Sequence, residues 1–555
     1  MTTTQRAPRT FIVTSAPPNP NGDLHLGHLS GPFLGADVMQ RHLKQLGHDV
    51  RYVGYSDEHS CYVPRRAAEL GQSAHQTARV FGDRMEETLS LGAMHHDWFT
   101  RPLTDATHTA TVQRFFLDLW DKGAFEVEEL PVFHCAGCDR HLYEAEVRGE
   151  CHYCGDPSDG IYCEACGLPQ DPAGLAAPRC TACWTEPELR TLRRIVLRLE
   201  DRREALAAYY ADAQSRSEWR PRLREYLDDL MSRRLPDTPV SREGAYGIPV
   251  PLPGWEGHIL DTWFSGIWGY AAATANLTAA EGRPGYWEEL WTDPDTELIN
   301  FIGFDCGFSH AVLWPALLLA HGGLTLPTQV VTNEFYRLEG EKFSTSRGHA
   351  IWGGDFLRRV SPDALRFHLC LTGPERRQTN FAMEEFSTTV RQVLVDGVEE
   401  WAGRVVRLLV EDFKGVVPQT DGPLGPLGPL LTVLPEQVAG ALAPETFSPQ
   451  RAAAAIADAV AAAVADLRSL DTLRSREGTG YADRLATHLE LLAVLAAVSQ
   501  PLMPGWSAFV LAHLEVRPAD AFTGRPVWPT VGRRLLTPGE TVAENLPAFF
   551  HPVAE

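Results

Sequence analysis

The pattern of apolar and polar residues at 10–56 predicts a strand, a helix and a second strand. Residues 10–15 (TFIVTS) form a short apolar run typical of a buried strand. The segment APPNPNGD, rich in turn residues, interrupts it. From Leu26 to Leu43 apolar residues recur at helical spacing, and Gly47 ends the predicted helix. Residues 49–56 (DVRYVGYS) predict the second strand. This β-α-β unit predicts a parallel, doubly wound sheet and an α/β fold.

The rest of the pattern divides the chain further. Strand-like alternation returns at 248–270 and around 298–336, and an arginine-rich stretch at about 186–234 is predicted to be helical. Residues 376–513 are helical and rich in Ala, Leu and Val, with a Pro- and Gly-rich loop at 414–448. We therefore expect four regions: a first half of the sheet domain at 1–120, an insertion at 121–245, the second half of the sheet domain at 246–375 and a helical bundle at 376–555.

Composition and charge limit the possible classes. The 555 residues are too many for one compact core, and 50 Lys and Arg against 72 Asp and Glu give a net charge of −22. An acidic surface argues against a general nucleic-acid coat protein, although a local basic patch remains compatible with it. The arginine-rich stretch is one candidate patch and an ordinary solvated helix face is the alternative. The N-terminus lacks an apolar signal core and the longest apolar runs are too short for a bilayer, so we expect a cytoplasmic protein without a membrane partner.

The cysteines predict metal binding. Of eleven cysteines, eight form C-x-x-C pairs within a short segment. The pairs are Cys135/Cys138, Cys151/Cys154, Cys163/Cys166 and Cys180/Cys183. In a reducing compartment this spacing indicates a metal rather than disulfides, and eight thiolates suit two tetrahedral Zn²⁺ ions. A redox dithiol is the alternative. A closed set of four thiolates leaves no open position, so the zinc would be structural.

Two histidines follow the first strand. The stretch NPNGDLHLGH places His25 and His28 around Gly27 at the start of the predicted helix, and the chain has no P-loop motif there. The first β-α turn of a doubly wound sheet is where phosphates bind, because a helix N-terminus offers unpaired N–H groups. Imidazoles can donate to phosphate oxygens as charge develops. The alternative is that both are ordinary surface histidines.

A second motif gives these histidines a context. HLGH, together with KFSTS at 342–346, resembles the two signature motifs of class I aminoacyl-tRNA synthetases. Further segments are similar to the methionyl-tRNA synthetase family in particular: SDEHS (56–60), REGAYGIPVP (242–251), FIGFD (301–305), WP (314–315), SPDALRFHL (361–369), the cysteine pairs and the tail LLTPGETVAENLPAFFHPV. The resemblance extends over essentially the whole chain.

This resemblance implies a fold, a reaction and a set of residues. The fold would be the class I Rossmann-type sheet with an inserted zinc-knuckle connective domain and a C-terminal bundle similar to an anticodon-binding domain, and the loop near 342–346 would belong to the second half of the catalytic domain. The enzyme would convert ATP and an amino acid to an aminoacyl-adenylate and pyrophosphate, then transfer the aminoacyl group to a tRNA 3′ end. The catalytic residues would be His25, His28 and Lys342. The ATP site would comprise Gly27, Gly303, Asp305, Lys342, Ser344 and Ser346, with Mg²⁺ alongside. Asp57 would bind the substrate ammonium. One zinc ion would take Cys151, Cys154, Cys163 and Cys166, and the outer four cysteines would take the other.

Several positions depart from the family pattern. Thr345 stands where the second signature motif has its second lysine. The amino-acid pocket would comprise Pro17, Asn19, Trp263, Gly266, Tyr270, Cys306 and His310, together with Asp57. Pro17 and Asn19 replace a leucine and a tyrosine, while Gly266 and Cys306 replace an alanine and an isoleucine. Methionine, or a related amino acid that is smaller or more polar, is therefore the expected substrate.

The expected anticodon contacts also differ. Glu400 and Arg404 stand where the family has an asparagine and an arginine, and LDTLR (470–474) has no aromatic residue to stack on a base. An alternative function follows: a biosynthetic paralogue that transfers the aminoacyl group to a small amine or hydroxylamine, as in hydrazine-forming pathways. A non-catalytic RNA-binding relic is the third possibility, and the retained signature residues argue against it. The chain has no recognisable dimerisation domain, so we expect a monomer.

Overall fold

The chain folds into two compact units in the computed structural model. The described residues are 8–159, 162–170, 174–343, 349–419, 422, 424–475, 480–518, 528–530, 533–542 and 545–553. Unit 1 comprises Met1–Ala36, Val50–Thr88 and His95–Phe335. Unit 2 comprises Asp37–Asp49, Leu89–Met94 and Tyr336–Glu555.

The described residues form the following strands and helices. The strands are β1 (Thr10–Ser15), β2 (Asp49–Tyr55), β3 (Trp98–Thr100), β4 (Phe125–Cys135), β5 (Arg140–Leu142), β6 (Val147–Glu150), β7 (Pro157–Asp159), β8 (Ala176–Cys180), β9 (Glu188–Arg198), β10 (Asp237–Pro239), β11 (Ser241–Glu243), β12 (His258–Leu260), β13 (Thr296–Gly303), β14 (Pro327–Asn333), β15 (Tyr336–Leu338), β16 (Glu341–Lys342) and β17 (Thr379–Phe381). The helices are α1 (Leu26–His28), α2 (Leu34–Gln45), α3 (Tyr62–Leu70), α4 (Ala74–Leu91), α5 (Ala106–Asp121), α6 (Arg203–Arg216), α7 (Pro221–Met231), α8 (Thr262–Ile267), α9 (Gly269–Ala280), α10 (Tyr286–Thr292), α11 (Trp314–His321), α12 (Gly353–Leu357), α13 (Pro362–Thr372), α14 (Met383–Thr389), α15 (Glu400–Phe413), α16 (Leu430–Leu442), α17 (Pro449–Ser475), α18 (Tyr481–Ser499) and α19 (Pro504–His513).

A five-stranded sheet is the centre of unit 1. Its strand order is β14-β13-β1-β2-β3. β1 pairs in parallel with β13, β13 with β14, and β2 with β3. β1 and β2 are buried along nearly their whole length, as expected for parallel strands covered on both faces. The strand order reverses between β1 and β13, and such a switch point is where open α/β sheets bind ligands. The predicted doubly wound parallel sheet is confirmed.

The insertion between β3 and β11 contains two further sheets. One has the order β10-β9-β4-β5, in which β4 and β9 pair from Phe125↔Leu197 to His134↔Glu188. The other is the three-stranded β7-β6-β8. The prediction of a helix over the whole arginine-rich stretch is wrong at its start, because Glu188–Arg198 is strand β9. The long antiparallel partner β4 supplies backbone hydrogen bonds that local helical propensity cannot match.

Unit 2 is mainly helical, with its core in α13 and α15 to α19. The predicted loop at 414–448 is wrong in part, because helix α16 (Leu430–Leu442) lies inside it. Leu434, Val438 and Leu442 are buried at helical spacing, a signal that the surrounding Pro and Gly residues obscure. In the described part of the chain, no helix is long and apolar enough to cross a bilayer.

A buried ion pair holds the core of unit 2 together. Arg366 on α13 and Asp37 on α2 are both 0% exposed, and their Nη2 and Oδ2 atoms are 2.7 Å apart. The guanidinium also donates to the carbonyl oxygens of Pro501 (2.7 Å), Leu502 (3.0 Å) and Ala93 (3.1 Å). Each of the three guanidinium nitrogens thus has an acceptor, which is a condition under which a buried ion pair is tolerated.

Candidate active site

Three polar segments meet the carboxyl edge of the central sheet of unit 1. The loop after β1 leads through Pro17 and Asn19 to the histidine pair. Asp57 follows the end of β2, and Asp305 lies in a short 3₁₀ turn directly after β13. The backbone N–H of Asp57 donates to the carbonyl of Pro18 at 2.9 Å, which ties the first two segments together. The switch point between β1 and β13 therefore carries both the histidines and carboxylates.

His25 and His28 hold each other in a fixed orientation. The N–H of His28 donates to Nδ1 of His25 at 3.3 Å, and the N–H of His25 donates to Nδ1 of His28 at 3.2 Å. The two rings stack with centroids 3.7 Å apart and planes at 16°. A ring nitrogen that accepts a hydrogen bond carries no proton in neutral imidazole, so each proton lies on Nε2. The pair thus carries two Nε2–H donors on stacked rings, which can donate to a phosphate group.

Both rings are neutral at physiological pH. Desolvation by the surrounding protein, followed by repulsion from His28, lowers the pKa of His25 to about 2. Desolvation lowers the pKa of His28 to about 4. The ring of His28 nevertheless reaches solvent and that of His25 is half-buried. Even an unshifted imidazole is mostly neutral at pH 7, so the two histidines act as hydrogen-bond donors and not as fixed cations.

Asp57 lies in an electronegative pocket. Burial raises its pKa well above the usual range, and repulsion from Glu144, Asp261 and Glu58 adds to this, while Arg242 opposes it. Glu58 itself is buried and accepts from Arg101 Nε at 2.5 Å and from the N–H of Leu103 at 2.8 Å. A ligand ammonium beside Asp57 would supply a positive charge that favours the ionised form of this carboxyl.

Glu144, which sequence reasoning missed, enters the site from the insertion. It is 8% exposed. Its Oε1 accepts from Trp263 Nε1 at 3.2 Å, and its Oε2 accepts from the Cys61 thiol at 3.3 Å. Desolvation, then repulsion from Asp261, raises its pKa to about 7. No local sequence signal marks this glutamate, because its partners are remote in the chain.

The predicted amino-acid pocket residues lie around α8, α9 and the turn after β13. Tyr270 Oη donates to the carbonyl of Ser15 at 3.1 Å and lies 2.9 Å from His310 Nε2. His310 Nδ1 lies 2.9 Å from Ser309 Oγ, and desolvation lowers the pKa of His310 to about 4. The structure thus joins Tyr270 and His310 to the end of β1. The other predicted members, Pro17, Asn19, Trp263, Gly266 and Cys306, are half-buried.

The cysteine pairs form two clusters. Cys135, Cys138, Cys180 and Cys183 make one group, and Cys151, Cys154, Cys163 and Cys166 make the other. Within each group all ligand sulfurs lie within 4.8 Å of one another. Four thiols at this separation fit a tetrahedral Zn²⁺ ion. The inner and outer pairs group as the resemblance implies.

Comparison with known proteins establishes the family. The model of the family described as tRNA synthetases class I (M) matches residues 11–406. The methionine–tRNA ligase of Thermomicrobium roseum is 34% identical over 414 residues, covering 74% of this chain and 70% of the relative. That of Pyrobaculum islandicum is 33% identical over 415 residues, covering 74% and 72%. The chain belongs to the methionyl-tRNA synthetase family.

A solved structure agrees in fold. The crystal structure of Mycobacterium tuberculosis methionyl-tRNA synthetase bound by methionyl-adenylate has a TM-score of 0.78 and 21% sequence identity, and the match covers 98% of this chain and 100% of that chain. The class I architecture, with its parallel sheet, cysteine-bearing insertion and C-terminal helical region, is thereby confirmed. The family is one of ATP-dependent enzymes that form aminoacyl-adenylates.

The second signature motif lies partly outside the described residues. Lys342 belongs to strand β16, which pairs with β15. Ser344, Thr345 and Ser346 lie outside the described residues. Of the remaining predicted ATP-site residues, Gly27 lies in α1 between the two histidines and Gly303 ends β13.

Two arginines of the helical bundle in unit 2 pair with carboxylates of the same bundle. Arg404 on α15 pairs with Asp471 on α17 at 2.9 Å. Arg474 pairs with Glu411 at 2.9 Å and with Asp412 at 2.7 Å. Glu400 is exposed. Of the two positions where the family pattern places anticodon contacts, Arg404 is thus engaged in an ion pair and Glu400 presents its carboxylate to solvent.

Proposed function

We propose that this protein activates an amino acid with ATP, forming an aminoacyl-adenylate and pyrophosphate, and transfers the aminoacyl group to a tRNA 3′ end. The observation that carries the proposal is the stacked pair of His25 and His28 at the switch point of the sheet. Two neutral Nε2–H groups can donate to the phosphate oxygens of ATP and take no part in activating the attacking carboxylate.

The first step is an in-line displacement. A carboxylate oxygen of the amino acid attacks the α-phosphorus, the bond to the bridging oxygen breaks, and pyrophosphate leaves. His25 and His28 donate to phosphate oxygens on which charge grows in the transition state, Asp57 binds the α-ammonium, and Asp305 accepts from the ribose hydroxyls. Positioning and electrostatics supply most of the acceleration in such reactions.

The leaving pyrophosphate needs positive charge. Lys342, with the hydroxyls of Ser344 and Ser346, is proposed to bind it, and Mg²⁺ carried by ATP would neutralise part of its charge. Thr345 supplies no charge, so this chain has one lysine fewer in the motif than the family pattern. Gly27 and Gly303 are proposed to let the nucleotide approach the backbone.

The two cysteine clusters are proposed to bind structural Zn²⁺. Each group has four sulfurs and no open coordination position, so the ions would stabilise the insertion and take no part in the reaction. Because the insertion also carries Glu144 into the site, its folding and the integrity of the amino-acid pocket are linked.

A tRNA is the proposed acceptor, recognised without reading the anticodon. The relatives described above are methionine–tRNA ligases, and they give no support to the biosynthetic alternative. The paired arginines Arg404 and Arg474 support an anticodon-independent mode, because a carboxylate-rich face repels an RNA loop. Replacing the anticodon of a substrate tRNA should change the aminoacylation kcat/KM less than tenfold, and a loss of a hundredfold or more would contradict this mode.

ATP–pyrophosphate exchange tests the first step. The wild-type protein should exchange with at least one amino acid without tRNA. His28→Ala should lower kcat about 10²- to 10³-fold, the loss typical of one transition-state donor, whereas His551→Ala in the exposed tail should leave it unchanged. Exchange that survives His28→Ala undiminished would contradict the assigned role of the pair.

A further inference from the structure

Tyr55, the last residue of β2, occupies space next to the proposed amino-acid pocket. Its side chain is 2% exposed. A Cβ atom added at Gly269 would lie 2.7 Å from a ring carbon of Tyr55, and one added at Gly266 would lie 3.1 Å from the Tyr55 hydroxyl. The phenol thus lies where side chains at these two positions would otherwise project. Glycine at both positions is what allows the ring to enter.

The ring borders residues of the reaction site. Its centroid is 5.2 Å from that of Tyr270, in an edge-to-face arrangement. Desolvation, then repulsion from Tyr270, Asp57 and Cys306, raises the pKa of Tyr55. Asp57 is two residues further along the same segment. The proposed ammonium partner Asp57 thus lies on the same segment as Tyr55, and Tyr270, a member of the proposed amino-acid pocket, contacts the Tyr55 ring.

The hydroxyl of Tyr55 differs from those of its neighbours. Tyr270 Oη is bonded to Ser15 and His310, and Tyr52 Oη donates to Ser15 Oγ at 3.2 Å. Among the described residues, the hydroxyl of Tyr55 has no hydrogen-bond partner. A phenol this deeply buried normally has a partner, so this hydroxyl is positioned for a polar group of a ligand.

We propose that Tyr55 limits the amino-acid pocket and that the substrate is a small hydroxyl amino acid, serine or threonine, whose side chain pairs with the Tyr55 hydroxyl. This inference rests on the proposed amino-acid activation and names its substrate class. The ring removes the volume that a thioether chain needs, and the hydroxyl replaces apolar contact with a hydrogen bond. A site built to bond a hydroxyl also discriminates strongly against analogues that lack one.

Exchange assays with the full chain and all twenty common amino acids test this. Wild-type kcat/KM should be highest with serine or threonine and at least tenfold lower with methionine, because a misfit of one methylene is worth about 10- to 200-fold. Tyr55→Phe keeps the ring and should lower kcat/KM for serine and threonine at least tenfold. The kcat/KM for alanine, which has no hydroxyl, should stay unchanged. Tyr55→Ala opens the pocket and should raise the ratio of kcat/KM for methionine to kcat/KM for serine at least tenfold.

A matched control separates specificity from folding. Tyr210 on α6 is another buried tyrosine, and its hydroxyl donates to the carbonyl of Ala311 at 2.8 Å. Tyr210→Phe should leave the order of amino-acid preference unchanged. If Tyr55→Ala fails to fold, Tyr55→Phe still tests the proposed hydrogen bond, because it removes only the hydroxyl and keeps the ring.

The outcomes distinguish the two proposals. Serine or threonine as best substrate, with the variant pattern above, supports the inference. Exchange that is fastest with methionine overturns it and leaves the proposed amino-acid activation standing. If no amino acid supports exchange, the proposed activation fails. Calorimetric titration of serine and methionine, each with a non-hydrolysable ATP analogue, would then still overturn the pocket assignment if methionine bound more tightly.

Discussion

Glu144 gives a quantitative test of how the insertion is coupled to the site. The carboxyl is 8% exposed and its pKa is raised from 4.5 to about 7, chiefly by desolvation and then by Asp261. A carboxyl with a raised pKa binds its proton more tightly in the folded state. Its contribution to stability is therefore fully present below pH 4.5 and is lost as pH rises through about 7. The loss on going to pH 8 is on the order of 3 kcal/mol.

Glu144→Gln removes this dependence, because an amide keeps the shape and the acceptor for Trp263 but does not ionise. Wild type and variant should have similar stability at pH 5, and the variant should be more stable at pH 8. For a unit of this size about 3 kcal/mol corresponds to a melting temperature roughly 5 °C higher. Other titrating groups are common to both proteins, so the difference between their melting curves isolates Glu144.

The assay is the first thermal transition of both proteins, measured at pH 5 and pH 8. Glu225→Gln, at an exposed position on α7, is the matched control, and its melting temperature should equal that of the wild type at both pH values. A gap between Glu144→Gln and wild type that is the same at both pH values would refute the reasoning. It would mean that Arg242, which opposes the shift, already neutralises the carboxylate.

Two further predictions concern the structural groups. Arg366→Leu removes one of the two arginines that pair with buried Asp37 and leaves the carbonyls of Pro501 and Leu502 without their donor. It should lower the free energy of unfolding of unit 2 by about 3–5 kcal/mol, whereas loss of the more exposed Arg404 pair should cost less than about 1 kcal/mol. Hydrogen exchange in the helices of unit 2 measures both effects, and equal effects would contradict the buried-pair argument. Metal analysis should find two zinc ions per chain, and Cys151→Ser and Cys180→Ser should each remove one and retain the other; loss of both ions from either variant would show that the clusters are not independent.

The local elements could be predicted from the sequence. The apolar run of β1, the turn after it and the helical spacing from Leu26 are set by neighbouring residues, so the β-α-β unit and its parallel sheet followed directly. The histidine pair was predictable for the same reason, since His25 and His28 are three positions apart on one turn. Short, regular spacing also marked the cysteine pairs as metal ligands.

Elements that depend on remote partners were predicted less well. Glu188–Arg198 reads as helical but pairs as strand β9 with β4, and α16 is hidden among Pro and Gly residues until its apolar side is buried. In both cases the deciding free energy comes from pairing or burial against another segment and not from local propensity.

The sequence by itself determined the family, the doubly wound sheet, the histidine pair and the cysteine spacing, because each is encoded within a few residues. Only the tertiary structure decided what surrounds the proposed amino-acid pocket. Glu144 bonds Trp263 from 119 positions away, and Tyr55 enters a space that glycines on α8 and α9 leave open. Neither contact has a local signature, because each depends on where the folded chain brings distant side chains together.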